Sequence, residues 1–299
     1  MTTPEFTSNR DNFCYRHPDR QSFVLCQRCM RTICPECMTQ APVGVICPEC
    51  MKAERKAETP GQRRARRQSR AGGPVALVAT GRPIVTYVII AITAFISLVQ
   101  MIPGVVGDAV SDALVFWAPY LYPAITGLPF EPWRLLTAML VHGGLWHLAL
   151  NMLALWMLGR SLEPLLGRWR FATLYVLGGL GGSVAVACIS PMTATVGASG
   201  AIFGLFGALL VIGRHIGANI RGLAVILGIN LVVGFVFAGQ IAWQAHVGGL
   251  AVGALIGFIF ARTRRREQRA TQILLLIAVA VGLIALLVIV PPLILQTMI

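Results

Sequence analysis

Seven apolar stretches, near residues 83–102, 145–162, 170–190, 199–213, 220–238, 243–261 and 272–295, leave this chain few architectures. Hydrocarbon offers no water to a backbone N–H or C=O, so a segment of this kind satisfies its own groups by coiling into a helix. With 56% hydrophobic and 12% charged residues the chain is too apolar for a soluble globule. The fold class expected is an all-α polytopic membrane protein. No solenoid-type repeat is visible, and the first eighty residues, polar, basic and rich in cysteine, show no cleavable signal peptide.

The arginines suggest an orientation. If the seven stretches alternate in direction, Arg82, Arg160, Arg168, Arg170, Arg214, Arg221 and the run from Arg262 to Arg269 fall on one side, with Arg134 as the exception. The other side receives Asp108, Asp112 and Glu131. By the positive-inside rule the N-terminus is expected in the cytoplasm and the C-terminus outside. The formal charge of +13 is concentrated between Arg63 and Arg70 and between Arg262 and Arg269, beside apolar segments. That pattern fits topology signals and contact with membrane lipids, and no nucleic-acid partner is expected. The long connection over 103–144, with Trp117, Trp133, Pro119, Pro123 and Pro129, is apolar enough to lie in the outer interface.

Residues 1–55 form a different kind of unit. Four close pairs occur in order: Cys14-x2-His17, Cys26-x2-Cys29, Cys34-x2-Cys37 and Cys47-x2-Cys50. Two-residue spacing lets both members of a pair reach one tetrahedral metal, so eight ligands fill two closed sites, expected to hold structural zinc. A disulfide framework would need an oxidising compartment and would leave His17 unexplained and one cysteine over. Spacing alone allows sequential or interleaved pairing. The arrangement resembles the B-box type of zinc finger, which implies that Cys14, His17, Cys34 and Cys37 share one ion and Cys26, Cys29, Cys47 and Cys50 the other. So short a head buries little core, and metal is expected to supply most of its folding energy. Its expected use is to bind a cytoplasmic protein or the membrane surface. Residues 56–82 are expected to be a basic flexible linker. Cys188, alone in an apolar segment, reads as a small core residue.

Within the apolar part, Gly197-Ala198-Ser199-Gly200 puts a hydroxyl at the mouth of a helix. The run from Ser199 to Gly213 would be about 22 Å long against a hydrocarbon core of about 30 Å. It therefore begins below the surface, where a water-filled cavity would satisfy its free N–H groups. The alternative is packing, since Gly197, Gly200, Gly204 and Gly207 make a small-residue face.

Other polar residues favour chemistry, because amide and ionisable groups cost free energy inside a bilayer. Asn151 and Asn230 are the main intramembrane amides, and His215, beside Arg214 at a helix end, is set aside as solvated. His147 and Asn151 share one helix face, and His246 lies near the outer end of the sixth stretch, at the same depth as Ser199. A serine hydroxyl needs a base, and acyl transfer needs donors for the developing oxyanion. Ser199 as nucleophile, His246 as base, and His147, Asn151 and the Ser199 N–H as donors make a complete set. Glu163 and Glu267 belong to the cytoplasmic side and Asp108, Asp112 and Glu131 to the outer loop, so a dyad is expected. Gly249, Gly253 and Gly257 would let the sixth helix approach the fourth closely.

The segments His142-Gly-Gly-Leu-Trp-His147-Leu-Ala-Leu-Asn151, Gly197-Ala-Ser199-Gly200 and Ala245-His246-Val-Gly248-Gly249 resemble the signature of rhomboid intramembrane serine proteases. Trp133-Arg134 is similar to that family's outer-loop motif. The resemblance implies a six-helix catalytic core over 83–262 that cleaves transmembrane protein substrates at small residues near the outer face of the membrane, in the plasma membrane of a bacterium. It implies the roles given above for Ser199, His246, His147 and Asn151, with His142 contacting substrate or water. Two positions depart from the pattern: Phe203 stands where many members carry tyrosine, and can still pack on the His246 ring, and Ile241 stands where glycine is common. The basic loop and seventh helix of 263–299, and the zinc head, lie outside that core. Two other readings remain open: a catalytically silent rhomboid-like protein that binds membrane clients, and a transporter with a polar path through His147, Asn151 and His246, for which polar residues in the cytoplasmic half are sparse.

Overall fold

A computed structural model of the chain describes residues 10–40, 45–57, 59, 82–215, 220–237, 239 and 241–298. It divides into two compact units, Met1–Thr80 and Gly81–Ile299. The linker expected over 56–82 lies largely outside the described residues, and so does the cluster Arg63–Arg70.

The first unit has two short antiparallel pairs, β1 (Phe13–Cys14) with β2 (His17–Gln21) and β3 (Thr39–Gln40) with β4 (Val45–Ile46), followed by helix α1 (Pro48–Ala57). Its buried cluster consists of Cys14, Cys26, Cys34, Cys37 and Cys47 with Ile33 and Ile46. Two buried aliphatic side chains, with Tyr15, Met38, Val45 and Met51 partly buried against them, are little apolar area to offset the chain entropy of such a unit.

The second unit is helical. Its elements are α2 (Ile84–Gln100), α3 (Val105–Leu114), α4 (Pro123–Thr126), α5 (Arg134–Thr137), α6 (Leu145–Leu166), α7 (Arg168–Ile189), α8 (Ser199–His215), α9 (Arg221–Val236), α10 (Trp243–Arg262) and α11 (Arg269–Met298). Each of the seven apolar stretches is occupied by a helix. By length and composition α7, α10 and α11 can each cross a membrane; residues Arg134–Leu140 and α6 qualify together, bent by 97° at the break between them. The helices α2, α8 and α9 are apolar but shorter.

The packing suits an apolar solvent. Large side chains such as Leu274, Val281, Val288, Val225 and Val232 face outward, while the buried surfaces between α7, α8 and α10 are lined with glycine. A Cβ on Gly249 would overlap the carbonyl of Gly200, one on Gly253 the carbonyl of Gly204, and one on Gly257 would come 2.7 Å from Cα of Ala208. The backbones of α8 and α10 therefore touch along three turns, as small-xxx-small faces permit. Helix α9 buries only Leu227 and Gly234 and stands at the edge.

Polar side chains tie the helix ends. Glu163, buried in α6, accepts hydrogen bonds from the Val85 N–H at 2.9 Å, the Thr86 N–H at 2.8 Å and the Thr86 hydroxyl at 2.7 Å. It thus satisfies orphan donors at the start of α2. Arg134 is also buried, paired with Glu131, donating to the Val115 carbonyl at 2.8 Å and lying over the Tyr120 ring. The pair with Glu131 gives this buried guanidinium a counter-charge within its own loop. In α11, Pro291 has no N–H to give the Leu287 carbonyl, and the Tyr122 hydroxyl donates to it at 2.7 Å instead.

The glycine contacts give a measurable expectation. Gly253→Leu should lower the stability of the membrane unit by about 3 kcal/mol, the upper end for overpacking, whereas Gly228→Ala on α9, where the added methyl meets open space, should leave it unchanged or raise it. Thermal unfolding of the two variants in one detergent checks both.

Candidate active site and metal-ligand clusters

Ser199 is the first residue of α8, and the chain before it is bent to bring it there. Gly197 has φ +112°, which L side chains rarely adopt, and its N–H is held by the Ala138 carbonyl at 2.8 Å. A Cβ at Gly197 would lie 2.7 Å from Cε1 and 2.9 Å from Nε2 of His147. Only glycine lets this backbone rest against that imidazole. Phe116 and Thr195 form an antiparallel bridge, with N–H to carbonyl distances of 3.1 and 2.8 Å, and so couple the 103–144 connection to the segment entering the serine.

His246 lies in the first turn of α10, with Nε2 2.9 Å from Oγ of Ser199. Its ring stacks on Phe203, centroids 4.1 Å apart and planes 7° from parallel. Phe203 follows Ser199 by four residues and so rises from the same face of α8. Nδ1 of His246 is buried and has no hydrogen-bond partner among the described residues; Gly234 of α9 faces it, the position of an added Cβ being 3.5 Å away. The carboxylates of Glu163 and Glu131 are engaged elsewhere, by α2 and by Arg134.

His147 accepts the Gly143 N–H on Nδ1 at 3.2 Å, which puts its own proton on Nε2, the atom turned to Gly197. Asn151 is buried one turn further along α6, and its Nδ2 donates to the His147 carbonyl at 2.8 Å. One of its two amide protons is thus spent within its own helix. Asn230 behaves likewise, bonding the Ile226 carbonyl at 2.8 Å, and His215 is exposed at the end of α8.

His142, for which the resemblance implies contact with substrate or water, lies beside the loop that enters Ser199. It is 1% exposed. Its Nε2 accepts the Ala198 N–H at 3.3 Å, so Nδ1 carries the proton and donates to Oγ of Ser97 at 2.9 Å, whose hydroxyl in turn donates to the Leu140 carbonyl at 2.8 Å. The His142 N–H reaches Oε1 of Gln100 at 2.9 Å. Both ring nitrogens are committed, and the residue braces the loop before Ser199. Ser97 and Gln100 carry little sequence signal, only a pair of polar side chains three apart at the end of an apolar stretch.

In the first unit the ligands form two groups, Cys14 with His17, Cys34 and Cys37, and Cys26 with Cys29, Cys47 and Cys50, the donor atoms of each within 4.8 Å of one another. This is the interleaved arrangement. Nδ1 of His17 lies 3.8, 3.3 and 3.4 Å from the sulfurs of Cys14, Cys34 and Cys37, and the Cys29 and Cys47 sulfurs are 3.7 Å apart. A tetrahedral ion with bonds of about 2.3 Å to sulfur and about 2.0 Å to nitrogen needs donors about 3.5–3.8 Å apart. All eight cysteines are free thiols. Burial opposes ionisation of Cys14 and Cys26, but backbone N–H groups outweigh it and bring both thiols down to about 6. Burial pushes Cys37 up to about 11, and the Cys47 side chain followed by burial pushes Cys50 up to about 12. A cation bound to either group would displace the protons that remain on its thiols. Both groups can hold a metal ion.

A family model described as "Rhomboid domain" matches residues 129–263. The chain is 37% identical to Rhomboid protease GluP of Bacillus subtilis strain 168 over 217 residues, which is 69% of this chain and 41% of that protein. It is 39% identical to RHOMBOID-like protein 5 of Arabidopsis thaliana over 139 residues, 43% of this chain and 44% of that one. YdcA of Bacillus subtilis strain 168, also named for the rhomboid family, is 31% identical over 195 residues, 62% of this chain and 92% of its own length. The match thus spans less than half of the first two relatives and nearly all of the third.

Elemental analysis of the purified chain should find two bound metal ions, one per ligand group. Cys26→Ser should remove at least one and open the head to added protease, while the melting temperature of the membrane unit stays unchanged.

Proposed function

Because the chain belongs to the rhomboid family, we propose that it is an intramembrane serine endopeptidase hydrolysing peptide bonds in or near transmembrane segments of membrane proteins. The observation that carries this reading is the 2.9 Å contact between Ser199 Oγ and His246 Nε2, set at the starts of two apolar helices. Hydroxyl and imidazole have little bland reason to meet there, since each could be replaced by a methyl or a ring at lower desolvation cost.

In the mechanism, Oγ of Ser199 attacks the scissile carbonyl carbon while its proton passes to Nε2 of His246. The carbonyl π electrons move to oxygen, and the Ser199 N–H and the Nε2–H of His147 stabilise the resulting oxyanion, with the remaining Asn151 amide proton as a third donor. His246 then returns the proton to the leaving nitrogen as the C–N bond breaks. Water, with His246 again as base, hydrolyses the ester and regenerates the serine. Among the described residues no carboxylate reaches the imidazole, and the stacked Phe203 ring orients it. His142 acts one step removed, holding the Ala198 N–H so that the loop presents Ser199.

The substrates in this reading are single transmembrane segments cut at small residues near the outer face. The arginine-bearing helix ends lie in the cytoplasm. The head lies there too, and its three-cysteine-one-histidine and four-cysteine donor sets suit two closed structural zinc sites. Zinc would supply folding energy there, and the folded head would present a surface to a cytoplasmic protein.

Cleavage of a model single-pass substrate by purified protein in lipid tests the proposal. Native chain should cut, Ser199→Ala and His246→Ala should lose activity on the order of a million-fold, and His147→Ala should lower kcat by about 100- to 1,000-fold with KM little changed. Retained cutting by both the Ser199 and His246 variants would show the site to be elsewhere. Failure of native protein on varied substrates would favour a client-binding role.

A further inference from the structure

Away from Ser199, α7 and α11 enclose an open cleft of about 460 Å³, within the size range of small-ligand sites. Its walls are apolar, formed by Trp169, Thr173 and Leu177 from α7 and Ile273, Ile277 and Ala280 from α11. These residues recur every three or four positions from the first turns of both helices, so the cleft is the gap between two facing stripes and runs for about 12 Å.

The mouth of this cleft is cationic. Arg168 and Arg170 flank Trp169, Arg269 opens α11, and Arg264 and Arg265 come just before it; Glu267 is the one carboxylate in 262–269. Arg170 is held in place: its guanidinium lies 5.2 Å from the Trp169 ring and its Nε donates to Oε1 of Gln272 at 2.8 Å. Gln272 is fully buried, its amide donating to the carbonyl of Thr263 at 2.9 Å and to that residue's hydroxyl. A buried amide of this kind costs free energy unless bonded, and here it fixes a guanidinium at the point where an apolar slot meets the charged end of the molecule. The Nη groups lie beyond that bond.

We propose that this cleft binds an anionic glycerophospholipid, with one acyl chain between α7 and α11 and its phosphate on Arg168, Arg170 and Arg269. The apolar slot accounts for the chain and the arginine rim for the charge, as in basic pockets between transmembrane helices. A free phosphate would leave the slot unused. A zwitterionic headgroup carries its own cation into the rim and gains less there.

The test uses the full-length protein in phosphatidylcholine nanodiscs containing a trace of phosphatidylglycerol with a photo-crosslinkable acyl chain, or the matching phosphatidylcholine probe. Labelled peptides are mapped by mass spectrometry. The phosphatidylglycerol probe should label 169–177 and 273–280 in preference to the phosphatidylcholine probe, and Arg168→Gln and Arg269→Gln should each reduce that labelling roughly fivefold without altering the phosphatidylcholine background. Both arginines are at least partly solvent-exposed, so neither change threatens the fold. Ala280→Phe, which fills the slot, should lower labelling of these peptides by both probes. Equal labelling of native protein by the two probes, a preference that survives both arginine changes, or labelling that survives Ala280→Phe would overturn the proposal. The readout needs no proteolysis, so its failure leaves the reading of Ser199 and His246 untouched.

Discussion

The close approach of α8 and α10 is the contact on which the site geometry depends. Ser199 and His246 are both in the first turns of their helices, and a serine side chain is short. For Oγ and Nε2 to lie 2.9 Å apart, the two backbones have to be nearly in van der Waals contact. They are, because Gly249, Gly253 and Gly257 of α10 meet Gly200, Gly204 and Ala208 of α8 with no room for a further carbon at the first two crossings. In an apolar solvent there is no hydrophobic drive to bring helices together, so close packing of small residues has to supply the association. The same contact both holds the bundle and sets the distance across the dyad.

The cost of polarity inside the bundle explains the rest of the arrangement. Most of the charged and ring groups buried in the bundle are spent on another part of the chain: Glu163 on the start of α2, Arg134 on Glu131 and the Val115 carbonyl, His142 on Ser97 and the Ala198 N–H. Nδ1 of His246 has no partner among the described residues, and neither has Oε1 of Gln244 two residues before it. The loop before Ser199 is thereby tied on several sides, through Gly197 to Ala138, Ala198 to His142 and Thr195 to Phe116.

Helix positions were readable from the chain because apolar runs in hydrocarbon have one way to satisfy their backbone. Ser199, His147 and His246 stood out because such residues are expensive in such runs. Roles that depend on what lies across an interface were not readable. Glu163 could be assigned to one side of the membrane but not to the N–H groups of Val85 and Thr86, which are more than seventy residues away in sequence. His142 sits in the same short segment as His147, yet one imidazole rests on Gly197 and the other is enclosed by Ser97 and Ala198. Nothing in their spacing separates the two. The metal ligands divide likewise: pair spacing identifies donors, but only the folded chain shows which pairs meet.

Hydrogen bonds hold α11 near its start and again well along its length. Near its start Gln272 is bonded to Arg170 and Thr263, and further along the Leu287 carbonyl, freed by Pro291, takes the Tyr122 hydroxyl. Fifteen residues of helix separate these anchors, about 22 Å. A stiff rod fixed at two points keeps only rotation about the line that joins them. Sliding is suppressed, and so is tilting. A displacement of the 103–144 connection at Tyr122 therefore acts as a load on the arginine-rich end at Arg170 and, through Gln272 and Thr263, on the far end of the helix that carries His246.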